Sequence, residues 1–487
     1  MVYYALLLCP KNMSTTKKIA HNTAIQLVGR IVSTALGLVA VAIMTRTLGV
    51  EKFGWYVTAT GFLQFIGIIS DFGFTVTTAN MLAEPNFDKT KLFNTLFTWR
   101  LITAFVFQAA APLLILFFPY PPEVKTAVLI TSLSFFAIAL NQVFIGYYQA
   151  NLRTHIQTIG EVLGRIVLVV GVAVVGFTDH SFLLVMGVIT LASIVNTLFL
   201  ITKHAEVRFS FDRAITKAIA YKMWPTALSV IFNAFYLQGD RVILPLFVSQ
   251  SVVAYYGAAY RVLDITIQLA AMIMGILMPL VTFAWSRQNL MEFKKYYQLS
   301  LDLVAFFLIP ITVGIFVLHV PLMTFIAGPE FTGAASVLTW LSISIFGICF
   351  GMAFGHVCLA INRQKEALFI YASDAVLSIV GYFIFIPRYG ALGAIGVTIF
   401  SEFYAGFLLL LLAMHYTRFT PRLFTFSKIV LSSIIMGTVI YYFQSLPLPV
   451  SLLLGICTYT LAVFGLKVIS KTTLQDILTR EKIVELN

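Results

Sequence analysis

Charge is scarce in this chain. Of its 487 residues, 11% are Asp, Glu, Lys or Arg, against ~25% in a soluble domain. Acid is the scarcer sign, with 20 Asp and Glu to 32 Lys and Arg. So little polar surface excludes a soluble coenzyme-binding enzyme, a nucleic-acid module and a disordered scaffold. Cysteine is rarer still: Cys9, Cys349, Cys358 and Cys457 are too few and too scattered for a disulfide framework or a metal site. The last three fall in apolar stretches and are expected to pack or to face lipid. No Gly-rich nucleotide loop and no cluster of His with carboxylates occurs, so no catalytic site, metal, cofactor or built-in ATPase is expected. What fills the chain is hydrocarbon: 60% of it is hydrophobic and its mean hydropathy is +0.93.

The apolar residues gather into fourteen stretches, from 20–44 and 53–79 through to 427–444 and 448–468. Each is long enough to cross a ~30 Å hydrocarbon core as a helix. The runs are continuously apolar rather than alternating, and an open sheet leaves its backbone unsatisfied in lipid, so strands are excluded as the spanning element. The fold expected is an all-α polytopic membrane protein.

With the N-terminus in the cytoplasm, only Arg46, Lys52, Lys125 and Arg388 fall on the outer side and Arg30, Arg100, Arg165, Arg241 and Arg261 within spans. All other Lys and Arg are then cytoplasmic, which predicts both termini inside. The net charge of +12 is thus a matter of topology, not of a nucleic-acid partner. The opening MVYYALLLC has no basic residue before its short apolar run and carries Leu8 where lipoprotein cleavage needs a small residue, so neither a secretion signal nor a lipid anchor is expected. The run MSTTKK from Met13 reads as a polar cytoplasmic N-terminus, which makes Met13 an alternative start.

The longest connection, 203–222, carries Lys203, Arg208, Arg213, Lys217 and Lys222. It divides the chain into a cytoplasmic N-terminus (1–19), a six-helix bundle (20–202), the basic linker, a second six-helix bundle (223–414), a trailing helix pair (415–468) and a cytoplasmic tail (469–487). The halves resemble each other. GWYVTAT at 54–60 answers AYYGAAY at 254–260, and ANLRTHIQ at 150–157 answers AINRQKEA at 360–367, which sets Tyr56 over Tyr256, Arg153 over Arg363 and, further on, Gly171 over Gly381. Matches in the same order favour a duplicated transporter with its site between the halves. The outer connections are short and hold only Glu51, Glu123, Asp179 and Glu330 as acids, which argues against a polysaccharide polymerase or glycosyltransferase.

Function is therefore sought among the charges within the spans: the five arginines above against Asp71, Glu161, Asp240, Asp264, Asp302, Asp374 and Glu402. Each is costly in lipid unless paired or facing water. In the first span Asn22, Gln26, Arg30 and Ser33 line one helix face, as a wet cavity requires. Asp71 lies at nearly the depth of Arg30, so a plain bridge between them competes with a site. Glu161 and Arg165, one turn apart, suit an intrahelical pair equally well. Asp240, Arg241, Arg261, Asp264 and Gln268 form the densest polar group, fit to hold a phosphate, a sugar or a proton. Asp374 and Glu402 have no basic neighbour on their own helices and are candidates for carboxylates that change protonation. Arg100 and Asp302 lie near cytoplasmic ends and are expected to snorkel. Pro225, Pro245, Pro279 and Pro310 interrupt spans, as ordinary kinks or as cavity-lining breaks.

Two segments together suggest a family. The run KKIAHNTAIQLVGRIVSTALGLVAVAIMTRTLGVEKFGWYVTATGFLQFIGIISDFGF carries Asn22 and Arg30, a TRTLG turn at Thr45 to Gly49, FGWY at Phe53 to Tyr56, and Asp71 with Gly73. GDRVILPLFVSQSVVAYYGAAYRVLD carries Asp240, Tyr256 and Arg261. As an ordered set over nearly the whole chain, these resemble the bacterial polysaccharide and O-antigen flippases of the multidrug, oligosaccharidyl-lipid and polysaccharide exporter superfamily.

The resemblance implies two six-helix bundles in a V around a central cavity, in the bacterial inner membrane. The substrate it implies is an undecaprenyl-diphosphate-linked oligosaccharide moved from the inner to the outer leaflet by alternating access, for O-antigen, lipopolysaccharide or a related polymer, among membrane lipids and beside glycosyltransferases and a polymerase. Asn22, Gln26, Arg30, Arg241, Arg261 and Gln268 are then expected to meet diphosphate and sugar. Asp71, Glu161, Asp240, Asp264, Asp374 and Glu402 are expected to couple ion movement to release. A multidrug or cation antiporter and a peptidoglycan-precursor flippase of the same superfamily are the alternatives.

Overall fold

The computed structural model describes residues 15–83, 87–151, 153–203 and 207–468, and every regular element among them is helical. The first half contains α1 (Thr15–Asp71), α2 (Phe74–Ala83), α3 (Lys89–Leu114), α4 (Pro122–Ala150), α5 (Thr154–Thr178) and α6 (Phe182–Thr202). The second contains α7 (Arg213–Ile243), α8 (Gln250–Ser286), α9 (Leu290–Ala327), α10 (Gly333–Ser342), α11 (Ser344–Ala360), α12 (Gln364–Tyr389) and α13 (Ala391–Thr417). The helices α14 (Leu423–Tyr442) and α15 (Leu448–Gly465) follow, α14 packed on α9 and α15 on α14.

Twelve of the described helical segments are long and apolar enough to cross a membrane. The first, Val28–Asp71, holds 44 residues, too many for one crossing at 1.5 Å per residue. It breaks at Gly49, whose φ of 69° is open to glycine at little steric cost. The limb before the break packs along α5, where Gly37 leaves room for Arg165; the limb after it packs along α8. Counting both limbs of the first makes thirteen such segments, and α7, 31 residues long, covers the remaining one of the fourteen apolar runs expected. The outward faces are lined by exposed apolar side chains such as Phe117, Phe177 and Leu461, the surface a lipid solvent requires.

The prolines act unequally. Pro279 and Pro310 lie inside α8 and α9, but Pro245 is the middle residue of the 3-10 turn Leu244–Leu246 that follows α7. Pro245 is thus a helix stop and not a kink within a span. Pro225 lies in α7 with its side chain outside the described residues. The second half of the basic linker is helical, since α7 starts at Arg213, where Asp212 caps the free N–H groups of Ala214 and Ile215. The extended half is strapped to the first bundle by hydrogen bonds from the Arg208 and Ser210 N–H groups to Asn94 Oδ1 and Thr98 Oγ1 (both 3.0 Å).

The internal repeat is structural. A Cβ on Gly171 would meet Val188 of the next helix, and one on Gly381 would meet Val397 of the next, so both glycines permit the same close helix approach. Arg153 and Arg363 take matching backbone angles, −113°, 37° and −106°, 32°. Each donates its N–H over 2.8 Å to a carbonyl five residues back, on Tyr148 and Cys358.

At the Gly49 end the two bundles are pressed together. A Cβ on Gly54 would collide with the Gln250 carbonyl, and one on Gly257 would lie 2.5 Å from Val57 Cγ2. Phe53 meets the edge of Phe331 at 5.5 Å, Thr58 donates to Gln250 Oε1 (2.8 Å), and Tyr120 donates to the Val242 carbonyl (2.8 Å).

Candidate substrate chamber

A chamber of about 660 Å³ opens inside the first bundle and reaches the second through Arg261. Its polar wall is drawn from six helices, α1 to α6: Gln64, Asp71 and Thr75, Arg100, Ser134 and Gln142, Glu161 and Arg165, and Ser193 with Asn196. These are the side chains whose placement in lipid would be most costly. Folding α1 to α6 around a cavity lets them face it.

At its deep edge, Asp71 pairs with Arg100 (Oδ1 to Nη2, 3.3 Å) and accepts from Thr75 Oγ1 (2.8 Å). Arg100 is 2% exposed, donates to the carbonyls of Ser70 (2.7 Å) and Ala139 (3.0 Å), and lies over the Phe74 ring. Two expectations are corrected here. Arg100 does not snorkel to an interface, because its partners lie on α1 and α4 at its own depth, and Asp71 is bridged by Arg100 and not by Arg30. Arg100 is thus the wall residue that sequence reasoning missed; its signal was an arginine three turns into α3, opposite an acid of equal depth. Arg30 is exposed, Gln26 half-buried, and the side chain of Asn22 lies outside the described residues.

Glu161 and Arg165 do not form the intrahelical pair that their spacing allows. Glu161 accepts a hydrogen bond from Ser33 (2.6 Å), while Arg165 lies against Gly37, and both line the chamber. Ser33, part of the polar stripe of the first span, thereby ties α1 to α5.

The second group sits at the seam between the bundles. Arg241 donates to Asp264 Oδ1 (2.8 Å) and to Gln64 Oε1 (3.4 Å) and stacks on the Tyr260 ring (4.5 Å to the centroid). Arg261, one turn before Asp264, lies 3.9 Å from its Oδ2 and donates to the Tyr56 hydroxyl (2.9 Å). Asp240 turns away from this chain: it accepts from the Tyr256 hydroxyl (2.6 Å) and the Arg241 N–H (2.8 Å) and is buried. Gln268 is half-buried one turn beyond Asp264. The aligned tyrosines of the repeat, Tyr56 and Tyr256, therefore serve opposite partners, one accepting from an arginine and the other donating to an aspartate.

The third group lies in the second bundle. Asp374 is fully buried and accepts from Ser401 (2.9 Å) and Ser378 (3.3 Å). Glu402, beside it on α13, is buried against Gly347. Neither carboxylate has a salt-bridge partner among the described residues. Asp302, by contrast, is only partly buried and accepts from Gln298 (3.0 Å).

Apolar spanning helices with charged side chains turned inward, and a polar chamber inside the first bundle that meets the second at Arg261, where the sequence pattern placed a site between the halves, define a multi-pass membrane protein with a wet interior. The model of the polysaccharide biosynthesis protein family matches residues 43–336, and the chain belongs to that family. A probable low-salt glycan biosynthesis flippase of Haloferax volcanii is 27% identical over 224 residues, which are 45% of this chain and 47% of that protein. The chain thus spans about half the length of this curated relative. Among solved structures, the inward closed conformation of the lipid II flippase MurJ aligns with a TM-score of 0.76 at 17% identity, over 93% of this chain and 99% of that one. An inward-facing multidrug resistance transporter of the MATE family aligns with a TM-score of 0.65 at 17% identity, over 79% and 94%. An outward-facing one gives 0.56 at 16% identity, over 82% and 96%. These likenesses show the fold.

Proposed function

We propose that the protein carries a lipid-linked oligosaccharide, joined to its polyprenyl carrier through a diphosphate, from the inner to the outer leaflet of a bacterial cytoplasmic membrane. The observation that carries the reading is the Arg241, Asp264 and Arg261 group beside the polar chamber: guanidinium groups for a diphosphate, next to a wet space for sugars. Arg30, Asn22, Gln26 and Gln268 are proposed to meet the sugars and the headgroup during transport. The termini are cytoplasmic on the positive-inside pattern, so the closed Gly49 end is the outer end and the chamber is loaded from the cytoplasm; the better alignment to inward-facing than to outward-facing structures supports this direction. Asp374, Glu402 and Asp240, buried without salt bridges, together with Asp71 and Glu161, supply ion coupling. Glycosyltransferases and a polymerase of surface polysaccharides such as O-antigen act before and after it.

The test is complementation of a strain that lacks its glycan flippase. Arg261→Ala and Arg30→Ala are each expected to abolish appearance of the glycan at the outer face, and Asp374→Asn and Glu402→Gln to remove its dependence on an ion gradient. Export intact in both arginine variants would refute the headgroup assignment. The likeness to MATE transporters and the unpaired carboxylates of the second bundle favour a second reading, a drug or cation antiporter; efflux of cationic dyes without any carrier lipid would select it.

A further inference from the structure

The carboxylate of Asp264 occupies the position that an anion would take between two guanidinium groups. One oxygen accepts from Arg241 Nη2 at 2.8 Å and the other lies 3.9 Å from Arg261 Nη1. Arg241 is 11% exposed and its Nε is buried without a hydrogen-bond partner, whereas Asp264 and Arg261 are 27% and 32% exposed. A narrow void of about 20 Å³ touches all three. One carboxylate therefore serves two cations, leaves a buried donor unused, and sits at the accessible edge of its own site.

We infer that Asp264 is a displaceable internal counter-ion, which holds Arg241 and Arg261 toward each other until a diphosphate takes its place and which speeds release by reclaiming them. The inference rests on the diphosphate reading above. Two guanidinium groups present many more N–H donors than one carboxylate can accept, and a diphosphate offers more oxygens and more charge in the bidentate geometry that arginine favours. Once displaced, Asp264 stays on the same helix turn as Arg261, a like charge beside the bound anion, and weakens the complex. Two arginines without it would hold the headgroup too tightly for turnover. Arg241 is fixed by Gln64 from the first bundle and by Tyr260, and Arg261 by Tyr56, so the exchange moves the carboxylate more than the cations. Asp264 is then a positioning residue, acting through the arginines.

The experiment measures binding of geranylgeranyl diphosphate and, separately, inorganic pyrophosphate to the full chain in nanodiscs. For the lipid, Asp264→Asn is expected to bind roughly tenfold tighter than the unaltered protein, about 1.4 kcal/mol, and to export more slowly in cells with a lower apparent KM. Arg241→Gln leaves Asp264 to neutralise Arg261 alone and is expected to weaken binding severalfold. The double variant Arg241→Gln with Asp264→Asn is expected to recover it, which a merely structural bridge would not do. Higher affinity for the lipid than for pyrophosphate assigns the anion to a lipid headgroup, and equal affinity assigns it to free diphosphate; the same order of variants supports the counter-ion in either arm. If the unaltered protein binds and Asp264→Asn binds equally or more weakly, the counter-ion is refuted while the diphosphate reading stands. If the unaltered protein binds neither ligand, both fall.

Discussion

Arg46 and Phe325 belong to different bundles, and the guanidinium group of the first donates to the carbonyl oxygen of the second at 2.8 Å. The same group reaches the carbonyls of Ile326 (3.1 Å) and Thr324 (3.5 Å) and that of Ala42 (2.8 Å) on its own helix. It thus covers the last turn of α9, whose terminal carbonyls have no partner within the helix and carry the negative end of its dipole. The chain then turns at Gly328, with φ of 97°, close enough to Arg46 that a Cβ there would lie 3.5 Å from its Cγ. Charged hydrogen bonds of this kind contribute about 1.5–3 kcal/mol each when sheltered; Arg46 is exposed, so the whole latch is expected at the low end of that range. Arg46→Ala should raise the population open at this end by roughly tenfold. Spin-label distances between positions 52 and 330 would report it, and an unchanged distance distribution would show that the latch holds nothing.

Gly54 and Gly257 set how closely the bundles approach, but they differ in what opposes them. A Cβ on Gly54 meets the backbone carbonyl of Gln250, which cannot move without its helix, whereas a Cβ on Gly257 meets the side chain of Val57. Both Gly54→Ala and Gly257→Ala are expected to impair closure and so to reduce export at normal protein abundance. Adding Val57→Ala should restore the Gly257 variant and leave the Gly54 variant impaired. Restoration of both, or of neither, would mean that the steric account is wrong.

The pair of Arg100 and Asp71 is a test of buried charge. Removing one partner leaves the other uncompensated in the wall, at a cost of about 3–5 kcal/mol in comparable buried pairs. Arg100→Ala also leaves the Ser70 and Ala139 carbonyls without their donor. We expect Arg100→Ala to lower the unfolding temperature of the detergent-solubilised protein markedly, and Arg100→Gln with Asp71→Asn to lower it less. Equal losses would show that the pair does not act as a unit.

Much of this architecture is legible in the chain. Apolar runs of span length, the uneven spread of Lys and Arg, and the repeated Tyr56 and Tyr256, Arg153 and Arg363, and Gly171 and Gly381 fixed the crossings and the duplication, because lipid imposes a length on every helix and two like bundles repeat their close contacts. The site was legible only as a set of residues at matching depth. Depth along a helix follows from counting residues; direction around it, for short polar stretches, does not. Hence depth alone offers Arg30 to Asp71, whose partner is Arg100, and helical spacing offers Arg165 to Glu161, which accepts from Ser33 instead.

By itself the sequence determined that this protein lives in a membrane, that it spans it with helices, and which few charges lie inside those helices, where each must find a partner or water. Only the tertiary structure decided which of those charges meet. Arg241 of α7 reaches Asp264 of α8 across the seam, and Asp374 rests on Ser401 because α12 and α13 pack face to face. Arg241 and Asp264 lie 23 residues apart in the chain and Asp374 and Ser401 27, and pairing between helices depends on a few ångströms of side-chain geometry that spacing along one helix does not encode.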